Sequence, residues 1–205
     1  YKVTVKDLSS VKVGSSGDLG SIYVGDSDKD NSLYVYYLSK FFGSSATNNW
    51  NGVSDLKVGD ELLIYGNAYT YNNAPQLGSG NRCITINGSP TNGTTAETAC
   101  NIIQARAYCD LYGETGIENM YVTGVISELS YNSSYDNYTF IMEMEDQFGV
   151  MRGVKAWAVS CDESMKDLLV DGATVVINTK LMLYYDSAIP GYICECYRGN
   201  VVSIA

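Results

Sequence analysis

The stretch Asp55-Leu56-Lys57-Val58-Gly59-Asp60-Glu61-Leu62-Leu63-Ile64-Tyr65-Gly66 decides the fold, because the chain carries it twice. Gly59-Asp60 makes a turn, and Glu61 to Tyr65 is a run apolar enough to enter a core. A second version, Asp167-Leu168-Leu169-Val170-Asp171-Gly172-Ala173-Thr174-Val175-Val176-Ile177-Asn178, begins 112 residues later. In both, Asp-Leu-x-Val leads into a Gly/Asp turn and a β-rich run. Tyrosines follow (Tyr69 and Tyr71; Tyr184 and Tyr185), then a Gly/Pro loop and a last strand. That offset is one small domain, so the 205 residues divide into two.

Working outward, Val3 and Val5 alternate with Lys2, Thr4 and Lys6, the period of a strand with one wet face. Ser21–Gly25 and Ser32–Tyr37 read as the second and third strands. An excursion at 38–51, carrying Phe41, Phe42 and Trp50, has room for a short helix that plugs a barrel end. Glu61–Tyr65, continuing toward Tyr71, is the fourth strand, Asn72–Asn81 a loop, and Arg82–Asn87 the fifth. Five strands interrupted after the third is the order of an OB-type Greek-key barrel. The second half repeats this over 119–129, 138–145, 150–159, 173–185 and 192–204. One helix leads it. Thr94-x-x-Glu97 is a capping-box pattern, Ala96, Cys100, Ile103, Ala107 and Leu111 form its apolar stripe, and Gly113 stops it. The expected fold is mainly β: two tandem OB-like five-stranded Greek-key barrels, with one helix preceding the second. The first spans residues 1–89, a linker 90–94, and the helix with the second barrel 95–205.

Composition narrows the chemistry. No His is present, which removes His-based triads and His metal sites. The net charge is −10, with 13 basic residues scattered among 23 acidic ones, which disfavours nucleic acid and anionic lipid as partners. No apolar run is long enough for a transmembrane helix. Cysteines at 83, 100, 109, 161, 194 and 196 allow as many as three disulfides in any of 15 pairings, or buried thiols acting as small hydrophobes. Their spacing supports no zinc site. Asp26-x-Asp28-x-Asp30 has the alternation of a calcium loop. Asn31 and Tyr37 occupy the positions where an EF-hand needs Gly and Glu, which leaves only a looser calcium site beside a solvated hairpin. Glu143, Glu145 and Asp146 sit at one strand end with no sign of the facing carboxylate a glycosidase requires. The expectation is no cofactor, no metal and no catalysis.

Tyr121-Val-Thr-Gly-Val-Ile-Ser-Glu128 resembles the first strand of OB-fold modules in secreted and surface lipoproteins of Bacteroidetes-type bacteria. Ser21–Asp26 and Leu33–Tyr36 resemble the second and third strands of that family, Leu56–Gly66 its fourth, and Thr95–Leu111 its leading helix. The second copy departs at Asp171-Gly172 and Asn178. The resemblance implies an extracytoplasmic protein, periplasmic or on the outer-membrane surface, tethered by a lipid anchor on a removed N-terminal segment. It also makes Asp186-Ser187-Ala188 similar to the short O-glycosylation motif of those bacteria.

The candidate binding residues are Tyr23, Tyr34 and Tyr36. Alternation turns Val24, Leu33 and Val35 inward and these tyrosines outward, onto the strand-two and strand-three face where OB folds take ligands. Such rings can stack on sugars or bases. They can equally pack on the second domain, or reflect the strand preference of Tyr. The corresponding outer positions of the second half, Thr139, Glu143 and Glu145, are not aromatic. The expected function is a non-catalytic binding or adhesion module for a saccharide or peptide. Single-stranded nucleic-acid binding and a purely structural role are the alternatives.

Overall fold

The computed structural model describes residues 1–41, 49–146 and 148–205, and it resolves into two compact units, Tyr1–Asn92 and Gly93–Ala205. The first unit contains β1 (Lys2–Asp7), β2 (Lys12–Val13), β3 (Leu19–Gly20), β4 (Ile22–Gly25), β5 (Leu33–Val35), β6 (Leu38–Lys40), β7 (Glu61–Tyr65), β8 (Ala68–Tyr71), β9 (Ala74–Leu77), β10 (Asn81–Ile86) and β11 (Ser89–Pro90). The second contains α1 (Ile102–Tyr112), β12 (Ile117–Asn132), β13 (Asn137–Glu145), β14 (Met151–Ser160), β15 (Thr174–Asp186) and β16 (Gly191–Ile204). The protein is mainly β, with two tandem barrel-like sheets and a helix preceding the second.

The second sheet is a closed barrel in the order β12-β13-β14-β16-β15. Numbered within the unit, that is 1-2-3-5-4, with the 3–5 pair parallel. The first unit follows the same order. Its path β10-β7-β1-β4-β5 is 5-4-1-2-3, and β6 pairs parallel with β10 through Asn81↔Leu38 and Cys83↔Lys40. β5 and β6 are two halves of one third strand, broken at Tyr36-Tyr37, where Tyr37 takes φ 55. The ring therefore closes through that short covalent break.

Asn81 holds the break together. Its buried amide donates to the carbonyls of Tyr36 (3.3 Å), Tyr37 (3.3 Å) and Gly78. Gly66 is required opposite, because a Cβ there would collide with the Asn81 side chain. Inside the ring, Val5, Ile22, Val24, Val35, Leu38, Leu62 and Ile64 form one core with Trp50, whose indole N–H donates to the Leu38 carbonyl at 2.7 Å. Of the 38–51 excursion, where a short plug helix was expected, Leu38–Lys40 form β6, and 42–48, with Phe42, lie outside the described residues.

Three sequence expectations are corrected here. The fourth strand stops at Tyr65, and residues 68–77 form a separate hairpin of β8 and β9 around Asn72 (φ 49) and Asn73 (φ 62). Two successive positive φ values match the twist of paired strands, so Asn-Asn makes a tight hairpin where a loop was expected. Asn87 (φ 50) and Gly88 (φ 80) do the same between β10 and β11. Pro90 and Thr91, expected in the linker, are thus held to the first barrel, and the Thr91 hydroxyl donates to the Cys83 carbonyl at 2.6 Å.

The helix begins at Ile102, later than Thr94-x-x-Glu97 implies. Cys100 is pinned to β12, its N–H donating to Tyr121 O and its carbonyl accepting from Thr123 N, both at 2.8 Å. Asn101 then caps the helix, accepting from Gln104 N while Gln104 Oε1 accepts from Asn101 N. This start turns Ile102, Ala105, Tyr108 and Cys109 inward and leaves Ile103 and Leu111 exposed. The helix packs on all five strands of its barrel, so it lies across one mouth. Gly124 makes room for it: a Cβ there would meet Ile102 Cδ1 at 2.8 Å. A disulfide joins Cys109 of α1 to Cys194 of β16. Cys83, Cys100 and Cys196 are buried thiols, and burial pushes Cys83 and Cys100 up to about 12.

Candidate functional site

Tyr23 stands on the outer face of β4 because Ile22 and Val24 on either side are fully buried. Pairing places Tyr34 of β5 directly opposite it, and the rings meet edge to face with centroids 5.4 Å apart. The row continues. Gln76 of β9 is paired with Tyr34, and Tyr69 of β8 with Gln76. On the other flank Asp7 of β1 stands opposite Tyr23. Residues from five strands thus form one transverse line: Asp7, Tyr23, Tyr34, Gln76, Tyr69.

Polar contacts fix this line. The Ser21 and Tyr34 hydroxyls are 3.1 Å apart, and the Gln76 amide donates to the Tyr69 hydroxyl. The Asp7 carboxylate accepts from the Ser9 amide at 2.7 Å, which holds its pKa below the usual carboxylate range. The structure therefore brings Tyr23 and Tyr34 together. Tyr36 is separate: it lies one residue beyond β5, is exposed, and packs edge-on against Tyr37 at 4.6 Å. Gln76 and Tyr69 were not recognisable as partners from the sequence, because residues 72–81 read as an open loop.

The outer face of the second barrel is also aromatic, one strand away from Thr139 and Glu143. Trp157 of β14 pairs with Tyr197 of β16, and their rings stack at 5.2 Å with 20° between the planes. The strand-two positions Thr139, Glu143 and Glu145 are not aromatic; the aromatics sit instead at the 3–5 junction.

Asp26 and Asp146 are engaged in local contacts. Asp26 pairs with Lys29 at 3.0 Å and accepts from Asn31 at 3.1 Å, and these contacts hold its pKa down. Among the described residues no group of three or more His, Cys, Asp or Glu is arranged to hold a metal ion. Asp146 accepts from the amides of Val150 and Phe148, which hold its pKa low, and pairs with Arg152 at 2.9 Å. Glu195, which the sequence did not single out, is the exception. It is 2% exposed, and burial raises its pKa although Lys155 Nζ lies 3.9 Å away and works in the opposite direction.

No family model and no curated protein matches the chain. Among solved structures, a murine DNA-binding protein bound with double-stranded DNA is similar at 12% identity and a TM-score of 0.26, covering 100% of this chain and 97% of the other. A structure described as the molecular basis for abrogation of activation of pro-inflammatory cytokines is similar at 10% identity and 0.24, covering 95% and 87%. Likeness at this level carries no argument about function. Among the described residues no helix is long and apolar enough to cross a membrane.

Proposed function

We propose that this protein is a non-catalytic, extracytoplasmic binding module whose first barrel takes a neutral saccharide on the Tyr23–Tyr34 face. The single observation that carries this reading is the transverse line of Asp7, Tyr23, Tyr34, Gln76 and Tyr69, in register across five strands. Aromatic rings supply apolar area against the faces of a sugar. The tyrosine hydroxyls and the Asp7 carboxylate offer donors and acceptors for its hydroxyls, while the buried Gln76 amide holds Tyr69 in place. Asp146, whose pKa is lowered by the Val150 and Phe148 amides, is engaged in a turn, a structural use of charge. A Cys109–Cys194 disulfide suits an oxidising compartment, and the resemblance to surface lipoproteins supplies the lipid tether.

A peptide ligand has one observation in its favour. Among the described residues β8 ends the sheet path, and its residues are exposed, so its edge can accept an added strand. Single-stranded nucleic acid would need cations gathered along the face, and the net charge is −10.

A glycan array run beside peptide and oligonucleotide panels, at about 50 and about 300 mM salt, tests the proposal. Binding of a neutral glycan that is insensitive to salt and weakened about tenfold by Tyr23→Ala or Tyr34→Ala is the expected result. Tyr36→Ala is expected to have little effect. Oligonucleotide binding that falls steeply with salt, or glycan binding indifferent to Tyr23 and Tyr34, would overturn it.

A further inference from the structure

The junction of β14 and β16 carries two bulges side by side. Pairing holds at Trp157↔Tyr197 and again at Val159↔Gly199. Between those points Ala158 takes φ 55 and Arg198 takes φ 49. Each is the extra residue of a bulge. β14 slips against β13 between Tyr138↔Val159 and Phe140↔Ala156, and β16 slips against β15 between Thr179↔Gly199 and Lys180↔Tyr197. Bulges re-aim side chains, and a left-handed backbone at a residue other than Gly is costly. Two of them side by side put Arg198 on the same outer face as its neighbour Tyr197. Its guanidinium carbon lies 5.3 Å from the Tyr197 ring centre and 5.8 Å from that of Trp157, within cation–π reach. With the rings 5.2 Å apart, the three centres form a nearly equilateral triangle. Trp157 keeps 36% of its surface exposed.

Hollows flank this ridge on both sides. One, of about 660 Å³, runs from Trp157 and Arg198 to Asn132, Asn137, Thr139 and Ser160. The other, of about 370 Å³, runs from Tyr197 and Arg198 to Asn119, Asn178 and Asn200. The walls are rich in amides and hydroxyls, which both donate and accept, as sugar hydroxyls do. The carboxylates and the lysine that also line the hollows are paired: Asp136 of the larger with Lys166 at 2.9 Å, and Glu118 with Lys180 of the smaller at 3.4 Å. A polyphosphate would require several cations free to meet it. An aromatic ridge between two polar hollows instead suits a linear, uncharged chain lying across it.

We propose that the Trp157–Tyr197–Arg198 ridge and its two hollows form a second binding site, for a neutral oligosaccharide, independent of the tyrosine face of the first barrel. The chain contains two tryptophans, and Trp50 is 2% exposed, so acrylamide quenching reports chiefly on Trp157. The experiment uses the full chain with six probes: malto-, cello-, xylo-, manno- and laminari-hexaose, and a thymidine oligonucleotide as the polyanion. At least one hexaose is expected to shield Trp157 and shift its emission. Shielding should persist in the Tyr23→Ala/Tyr34→Ala double variant, which separates this site from the first. By titration calorimetry, Trp157→Ala should weaken binding about tenfold, while Trp157→Tyr, which keeps a ring and guards against a folding defect, should retain most of it. Arg198→Gln should weaken it less than Trp157→Ala. Absence of shielding by every hexaose, shielding lost in the tyrosine double variant, or shielding by the oligonucleotide alone would each overturn the proposal.

Discussion

Replacing Asn81 tests whether the first sheet closes as a ring. Its amide meets three backbone carbonyls, two of them at the break in the third strand, Tyr36 and Tyr37, and one at Gly78. Asn81 is fully buried, so no solvent replaces those donors when they are lost. A net hydrogen bond contributes about 1 kcal/mol, and a buried acceptor left without a partner costs about 1–3 kcal/mol. Two N–H groups shared among three carbonyls, plus a small void, make Asn81→Ala cost about 3 kcal/mol. Asn81→Asp keeps the shape but faces carboxylate oxygen toward carbonyl oxygen, so it should cost at least as much. Denaturant unfolding followed by Trp50 fluorescence in a Trp157→Phe background reads the first barrel specifically, because Trp50 is part of its core. Losses below about 1 kcal/mol for both variants would refute the closure. So would a loss seen only when Trp157 is the reporter.

Removing the crosslink with Cys109→Ala/Cys194→Ala should lower the stability of the second barrel by about 2–4 kcal/mol, since the bond joins residues 85 apart. A reductant titration monitored by Trp157 should reproduce that loss in the wild-type chain. Glu195 supplies a pH signature. Its folded pKa is raised by burial, so between its ordinary value of 4.5 and the folded value the native state binds more protons than the unfolded chain. Stability from this group is therefore complete below 4.5 and declines as pH rises through the folded pKa. Glu195→Gln should flatten that decline in denaturation midpoints measured across pH, and an unchanged slope would contradict the assignment.

The alternation of Val3 and Val5, the apolar run at Glu61–Tyr65 and the second version at Asp167 were enough to read strand order and repeat. Each is a local pattern with one dominant period. The outward facing of Tyr23 and Tyr34 followed from the same alternation. Where the reading failed, two local signals competed or the decisive contact was remote. Asn72-Asn73 and Asn87-Gly88 have the composition of loops, yet their willingness to take positive φ makes them hairpin turns. Thr94-x-x-Glu97 and Asn101-x-x-Gln104 both resemble helix starts, and the pairing of Cys100 with β12 decides between them. Trp157, Tyr197 and Arg198 are brought together by a parallel register across 40 positions and two left-handed residues. Neither leaves a trace in hydrophobic periodicity.

The most direct measurement of the central claim is residue-resolved NMR of the full labelled chain, titrated with a neutral hexaose that binds. Shift changes should gather at Tyr23, Tyr34 and Gln76, at Trp157, Tyr197 and Arg198, or at both groups, and should be the same at low and moderate salt. Changes confined to other surfaces, or appearing at these residues only with an oligonucleotide and fading as salt is added, would contradict the account.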